Sequence, residues 1–164
     1  MLKKLFVTIT ITILFAFQTF VSNANAAELT KELRTLPLND SGETVVVSLE
    51  QIAKGKKLFV DSCAQCHAGG LTKTNPVVNL GTPSLEGAVP NRNNIAALVD
   101  YLKNPTTYDG FEEISEFHPS TKSADLFPEM RNLTDDDLAN VSSYILLQPR
   151  VIGKQWGGGK GERY

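Results

Sequence analysis

Residues 62–70 read SCAQCHAGG: two cysteines three apart, with a histidine directly after the second. Cys63 and Cys66 are the only cysteines of the chain, and His67 is one of its two histidines. A disulfide between them would close a very small ring, as in thiol oxidoreductases. There the pair opens a helix in a strand-helix-strand setting, whereas here a helical pattern precedes it. A zinc site would have to draw on Cys63, Cys66, His67 and His118 as its whole supply, and His67 is awkwardly adjacent to Cys66 for both to reach one small ion. The third reading is covalent haem. Two thiols at this spacing add to the two vinyl groups of one haem, and the next side chain falls under the iron. The motif therefore predicts one haem c per chain, with Cys63 and Cys66 as thioethers and His67 as proximal ligand.

The N-terminus bears on the compartment. MLKK supplies two positive charges, LFVTITITILFAFQTFV follows with no charged residue, and SNANA then presents Ala24 and Ala26 in the small-x-small pattern of a signal-peptidase site. An apolar run of this length approaches the ~20 residues that span a bilayer, so a retained anchor is the alternative. The small residues directly after it favour cleavage, and residues 1–26 are expected to be a signal peptide. The 164-residue chain less 26 leaves 138 residues. Its 16 basic side chains lose Lys3 and Lys4, so 14 face 18 acids, for a net charge of −4. That length suits one domain, and without a basic run no nucleic-acid partner is expected.

Further along, residues 27–47 are of mixed polarity, with ETVVVSL as a possible short strand. SLEQ, residues 48–51, is a capping box, and Leu49, Ile52, Leu58 and Phe59 then form an imperfect apolar stripe with Gly55 as a notch on a neighbouring face. From Gly69 to Asn91, prolines and glycines predict loop. Ile95, Leu98, Val99 and Leu102 sit at i, i+3, i+4 and i+7, predicting a helix that Asn104-Pro105 stops. After irregular chain over 104–133, a last helix opens at Thr134, burying Leu138, Val141, Tyr144 and Ile145 and ending at Pro149. The tail, residues 150–164, is too glycine-rich to fold alone. Trp156, the only tryptophan, reads there as an anchor onto a partner, or else as a ring that folds back onto its own domain.

A helix with Gly55 and Phe59, then CAQCH, then loops, then a closing helix resembles the single-haem class I cytochrome c fold, in which the first and last helices cross closely at a glycine. The expected fold is therefore mostly α, a cytochrome c domain over 48–149 with an N-terminal extension over 27–47 and a C-terminal tail. The sixth ligand sets the chemistry: methionine raises the potential and a second imidazole lowers it. Met130 lies just before the closing helix, where the class I family keeps its methionine. Aligning LFPEMRNLT with the family's photosynthetic carriers instead puts Leu126 at that position and Met130 four residues late, as a core or haem-edge contact. His118, in EFHPS, reads equally as an exposed loop histidine or as a ligand.

CAQCHAGG, TNPVVNLGTPSLEGA, FHPS, SADLFPEMRNLTDDDL and QWGGGK together resemble the cytochrome c-550 family, the extrinsic low-potential cytochromes of photosystem II. The resemblance implies His118 as the sixth ligand. It also implies a lumenal, peripheral, non-enzymatic subunit docked on the photosystem II core beside other extrinsic subunits, stabilising the manganese-calcium-chloride centre. GER before Tyr164 departs from the family's usual close. The rival expectations are a soluble electron carrier, which favours a methionine ligand, and a haem enzyme, which needs an open iron position and a spare acid-base group.

Overall fold

The computed structural model describes residues 29–158; the expected leader with its expected cleavage site, and the GER segment, lie outside the described residues. β1 (Thr35–Pro37) and β2 (Thr44–Val46) pair antiparallel, Leu36 opposite Val45. Leu36 is fully buried between less buried neighbours, the period-2 signature of a one-faced strand. Among the described residues five α-helices follow: α1 (Leu49–Ser62), α2 (Ala64–His67), α3 (Thr82–Glu86), α4 (Ile95–Lys103) and α5 (Asp135–Ile152). Among the described residues no helix is long and apolar enough to cross a membrane.

The capping chemistry reads as expected. Ser48 caps α1 by accepting the Gln51 amide at 3.1 Å, while Gln51 Oε1 accepts the Ser48 amide at 2.9 Å. Thr134 and Asp137 form the same reciprocal pair on α5, with three acids in its first turn facing the positive end of the helix dipole. α1 and α5 cross at Gly55: a Cβ there would lie 2.0 Å from the Asn140 carbonyl oxygen. Two apolar clusters flank this crossing. One joins Leu36, Val47, Ile52, Ile95 and Leu147 beneath the hairpin; the other centres on Phe59, Leu98, Met130, Leu138 and Trp156.

Four expectations are corrected. Leu49 belongs to no buried stripe and is 58% exposed, because the face of α1 toward α5 runs through Ile52, Gly55 and Phe59. The 69–91 loop contains α3, started by Gly81 in extended conformation and Pro83 in its first turn, where a missing N–H costs nothing. Pro149 does not end α5, which continues to Ile152. Leu147 is buried just before the proline, and Arg150 just after it donates from Nη1 to the Thr35 carbonyl and from Nη2 to that of Glu32 at 3.2 Å. These tertiary contacts carry the helix past a residue that lacks an amide proton. Finally, Trp156 is not a free anchor: it is 5% exposed, inside the core of its own chain.

The crossing also carries an ion pair. Lys54 Nζ lies 2.7 Å from Asp137 Oδ1, while Asp137 Oδ2 accepts from the Thr134 amide and hydroxyl at 3.0 and 2.7 Å. The Lys54 hydrogen bond, followed by those of Thr134, holds the Asp137 carboxyl down to about 2, below its ordinary 3.8. The native state therefore binds this proton less readily than the unfolded chain. The stabilisation is present above pH ~4 and is lost as pH falls through about 2. Asp137→Asn should cost about 1 kcal/mol at pH 6, after discounting for solvent screening. Denaturant midpoints measured from pH 6 down to pH 2.5 should show that gap narrowing.

Candidate haem site

The motif acts through a local turn. The Cys63 amide caps α1 by donating to the Phe59 carbonyl at 2.9 Å, and its own carbonyl accepts the amides of Cys66 and His67 at 3.1 and 2.8 Å. Positions i, i+3 and i+4 of one helical turn share a face, so Cys63, Cys66 and His67 all line the same cavity, of about 750 Å³. Both thiols are free. Burial, aided by the Glu129 charge, pushes the Cys63 thiol up to about 12, so it sits in the cavity wall as a neutral group. Among the described residues no three His, Cys, Asp or Glu side chains gather as a metal cluster, which leaves the zinc reading without geometric support.

His118 enters the same cavity from the long loop between α4 and α5, 51 residues further on. Its amide donates to Ile114 O at 2.8 Å, and the following segment is pinned by Thr121 N to Leu102 O at 3.1 Å and by the buried Ser120–Ser123 hydroxyl pair at 2.7 Å. The structure thus brings together all four residues singled out in the sequence, with the His67 and His118 ring centres 6.1 Å apart and their planes tilted by 50°.

The ring nitrogens divide their roles. His67 Nδ1 lies 3.1 Å from the Leu71 carbonyl and 3.2 Å from Thr72 Oγ1; His118 Nδ1 lies 2.9 Å from the Pro119 carbonyl. A carbonyl only accepts, so each Nδ1 carries the proton and each Nε2 keeps its lone pair. This is the arrangement by which an outer partner orients a metal-binding imidazole. Burial lowers the pKa of both: His67 against the opposing pull of the Leu71 carbonyl, and His118 to about 4, with the neighbouring His67 and Arg92 adding to the shift. Both imidazoles are held in the neutral, electron-donating form.

These residues fit a haem. The 6.1 Å between the His67 and His118 ring centres would leave room for one metal ion held by an imidazole on each side, at about 2 Å per metal–nitrogen bond. The cavity walls include Leu98, Leu102, Phe127 and the 3%-exposed Met130, a core contact as the poor register of that methionine implies. Leu126 also lines the cavity but is 57% exposed. Arg92, also on the wall, is 7% exposed and its Nε has no hydrogen-bond partner. A buried unpaired donor is costly, and the acidic substituents of a haem supply the missing acceptor class. Arg92 and Tyr101 escaped the sequence reading. Arg92 lies in an unpatterned NRNN segment and Tyr101 off the apolar stripe of α4, and the contacts that give them meaning are nonlocal.

A family model described as the cytochrome c-550 domain matches residues 27–163. Photosystem II extrinsic protein V of Nostoc punctiforme is 59% identical over 160 residues, 98% of each chain, and the protein of that name from Limnospira maxima is 64% identical over 129 residues, 79% of this chain and 100% of its own. A crystal structure of cytochrome c549 superposes with a TM-score of 0.77 at 64% identity, covering 78% of this chain and 99% of that one. The class I cytochrome c fold is thus shared with a relative of known structure, and with it the implication of a c-type haem. With a family match over residues 27–163 and a two-histidine cavity built on CAQCH, the chain belongs to the cytochrome c-550 family.

Proposed function

We propose that this chain is an extrinsic haem subunit of photosystem II, peripheral on the lumenal thylakoid face. It would carry one covalent low-potential haem and stabilise the manganese-calcium-chloride centre that evolves oxygen. Its near-full-length likeness to photosystem II extrinsic protein V supports the partner, and the neighbouring imidazoles of His67 and His118 carry the haem reading. In this reading residues 1–26 are a removed leader, 27–47 an extension, 48–149 the haem domain and 150–164 a tail. No enzymatic step is assigned: both histidines are committed to the iron, leaving none for acid-base work.

The bound haem supplies one-electron transfer. The chain's own residues do the rest. Cys63 and Cys66 would hold the group covalently, His67 and His118 would ligate its iron, and the Leu71 and Pro119 carbonyls keep each imidazole in the donating tautomer. Apolar side chains such as Leu98 and Met130 exclude water from one side of the cavity.

Haem stain should remain with the polypeptide through denaturing electrophoresis, and Cys63→Ala or Cys66→Ala should weaken that attachment. Release of haem into acidified organic solvent from the parent protein would refute the covalent reading. The ferric protein should lack the weak near-infrared band of methionine-ligated haem. His118→Met should raise the potential, while Met130→Leu should leave six-coordination intact. For the partner, photosystem II cores isolated at low salt should hold this haem in near-equal amount to reaction centres, and stripping it should make oxygen evolution depend on added calcium and chloride. A freely soluble pool whose removal has no effect on oxygen evolution would instead identify a diffusing carrier.

A further inference from the structure

Arg92 makes more contacts than a loop arginine needs. Its Nη2 donates to Thr106 O at 3.2 Å, Thr106 Oγ1 at 3.3 Å and Thr107 O at 2.9 Å, which ties one end of the guanidinium to that loop. The guanidinium lies over the Tyr101 ring, with Cζ 3.9 Å from the ring centre. The Tyr101 ring in turn packs edge-on against His118, 5.0 Å between centres at 63°. Arg92, Tyr101 and His118 thus form one stack that ends at an imidazole neighbouring His67.

A second contact is what the His118 ring requires. The hydrogen bond from Nδ1 to the Pro119 carbonyl pins one point of the ring, but one point does not set the tilt of a plane. The Tyr101 ring supplies the restraint. It can do so only if it is held itself, and a desolvated cation stacked on its face is a strong hold for an aromatic ring at the end of a helix. A lysine in place of Arg92 lacks the planar face that stacks on the Tyr101 ring.

We propose that Arg92 is a positioning residue for His118, acting through Tyr101, and that the stack sets the angle between the two imidazole planes, 50° here. This rests on His118 being an axial ligand. Arg92 touches neither iron nor ligand in this role; it fixes the ring that fixes the ligand.

The test is low-temperature electron paramagnetic resonance of the purified ferric holoprotein, whose largest g value reports the angle between axial imidazole planes. Tyr101→Leu and Arg92→Gln should each shift that g value and broaden its line, while Tyr101→Phe, which keeps the ring, should retain the parent signal. If Arg92 serves only to hold the Thr106–Thr107 loop, Arg92→Gln lowers the denaturation midpoint with the parent g value unchanged, and the proposal fails. Should Arg92→Gln not fold, Tyr101→Leu decides the matter: a parent-like signal overturns the stack. His118→Met run in parallel separates the two levels. If it alters the signal and Tyr101→Leu does not, only the positioning role is lost; if it leaves the signal unchanged, the ligand reading itself falls.

Discussion

Trp156→Ala should cost about 3–5 kcal/mol, the range for removing a large buried aromatic, although the residue lies in a glycine-rich tail. The indole packs against Phe59 at 5.5 Å and Tyr144 at 6.1 Å between ring centres. Its Nε1 donates to the Leu80 carbonyl at 2.9 Å, and a Cβ on Gly70 would meet its ring at 2.6 Å. The Gly157 amide, next along, donates to Gly69 O at 2.9 Å. The tail is thus a strap across the turn that follows CAQCH, and the Leu71 carbonyl that orients His67 lies within that turn. Truncation should therefore lower the denaturant midpoint and also broaden the visible spectrum of the ferric haem. Trp156→Phe, which retains most of the ring and leaves Leu80 unpaired, should cost about 1–3 kcal/mol. A partner-docking anchor would behave in the opposite way, leaving the isolated protein as stable as the parent and weakening only its attachment. Parent-like stability of Trp156→Ala would show that the packed tail contributes nothing.

The legible parts of this fold were those whose signals are local. The Ser48 and Thr134 caps, the α4 stripe ending at Asn104-Pro105, and three of the four candidate haem residues all lie within one or two helical turns of the residues that give them meaning. What could not be read depends on contacts between distant segments. The five-residue α3 is too short to show periodicity. Pro149 stays helical because Arg150 reaches Glu32 and Thr35, and Trp156 is buried because Gly70 and Leu80 leave it room and an acceptor. His118 shows the limit most clearly. Its pairing with His67 spans a loop with no pattern of its own, so residues alone left it level with an ordinary loop histidine, and only the family resemblance separated the two. Arg92 had neither a local pattern nor a resemblance to mark it.

Gly55→Ala should destabilise the protein by about 3 kcal/mol or more, although the same change in an exposed helix interior stabilises by about 1 kcal/mol. The two effects have opposite signs, which makes the outcome decisive. Gly55 lies inside α1, where alanine is the better helix former. At the crossing, however, the new methyl would sit 2.0 Å from the carbonyl oxygen of Asn140 and 2.7 Å from its carbonyl carbon, with Tyr144 Cβ at 3.1 Å. The first two are backbone atoms of α5 and cannot rotate away, so relief requires the helices to separate by more than about 1 Å, toward ordinary van der Waals contact. Separation would loosen the Phe59–Tyr144 ring contact at 5.3 Å and the Lys54–Asp137 pair, whose lysine directly precedes Gly55. It would also displace the end of α1, where Cys63 begins the haem turn. Equilibrium denaturation of Gly55→Ala beside the exposed pair Lys56→Gly and Lys56→Ala separates propensity from clash. A gain in stability for Gly55→Ala would mean that the helices do not approach as closely as a glycine permits. A large loss, with a shifted haem spectrum, is the expected result of coupling the crossing to the cofactor turn.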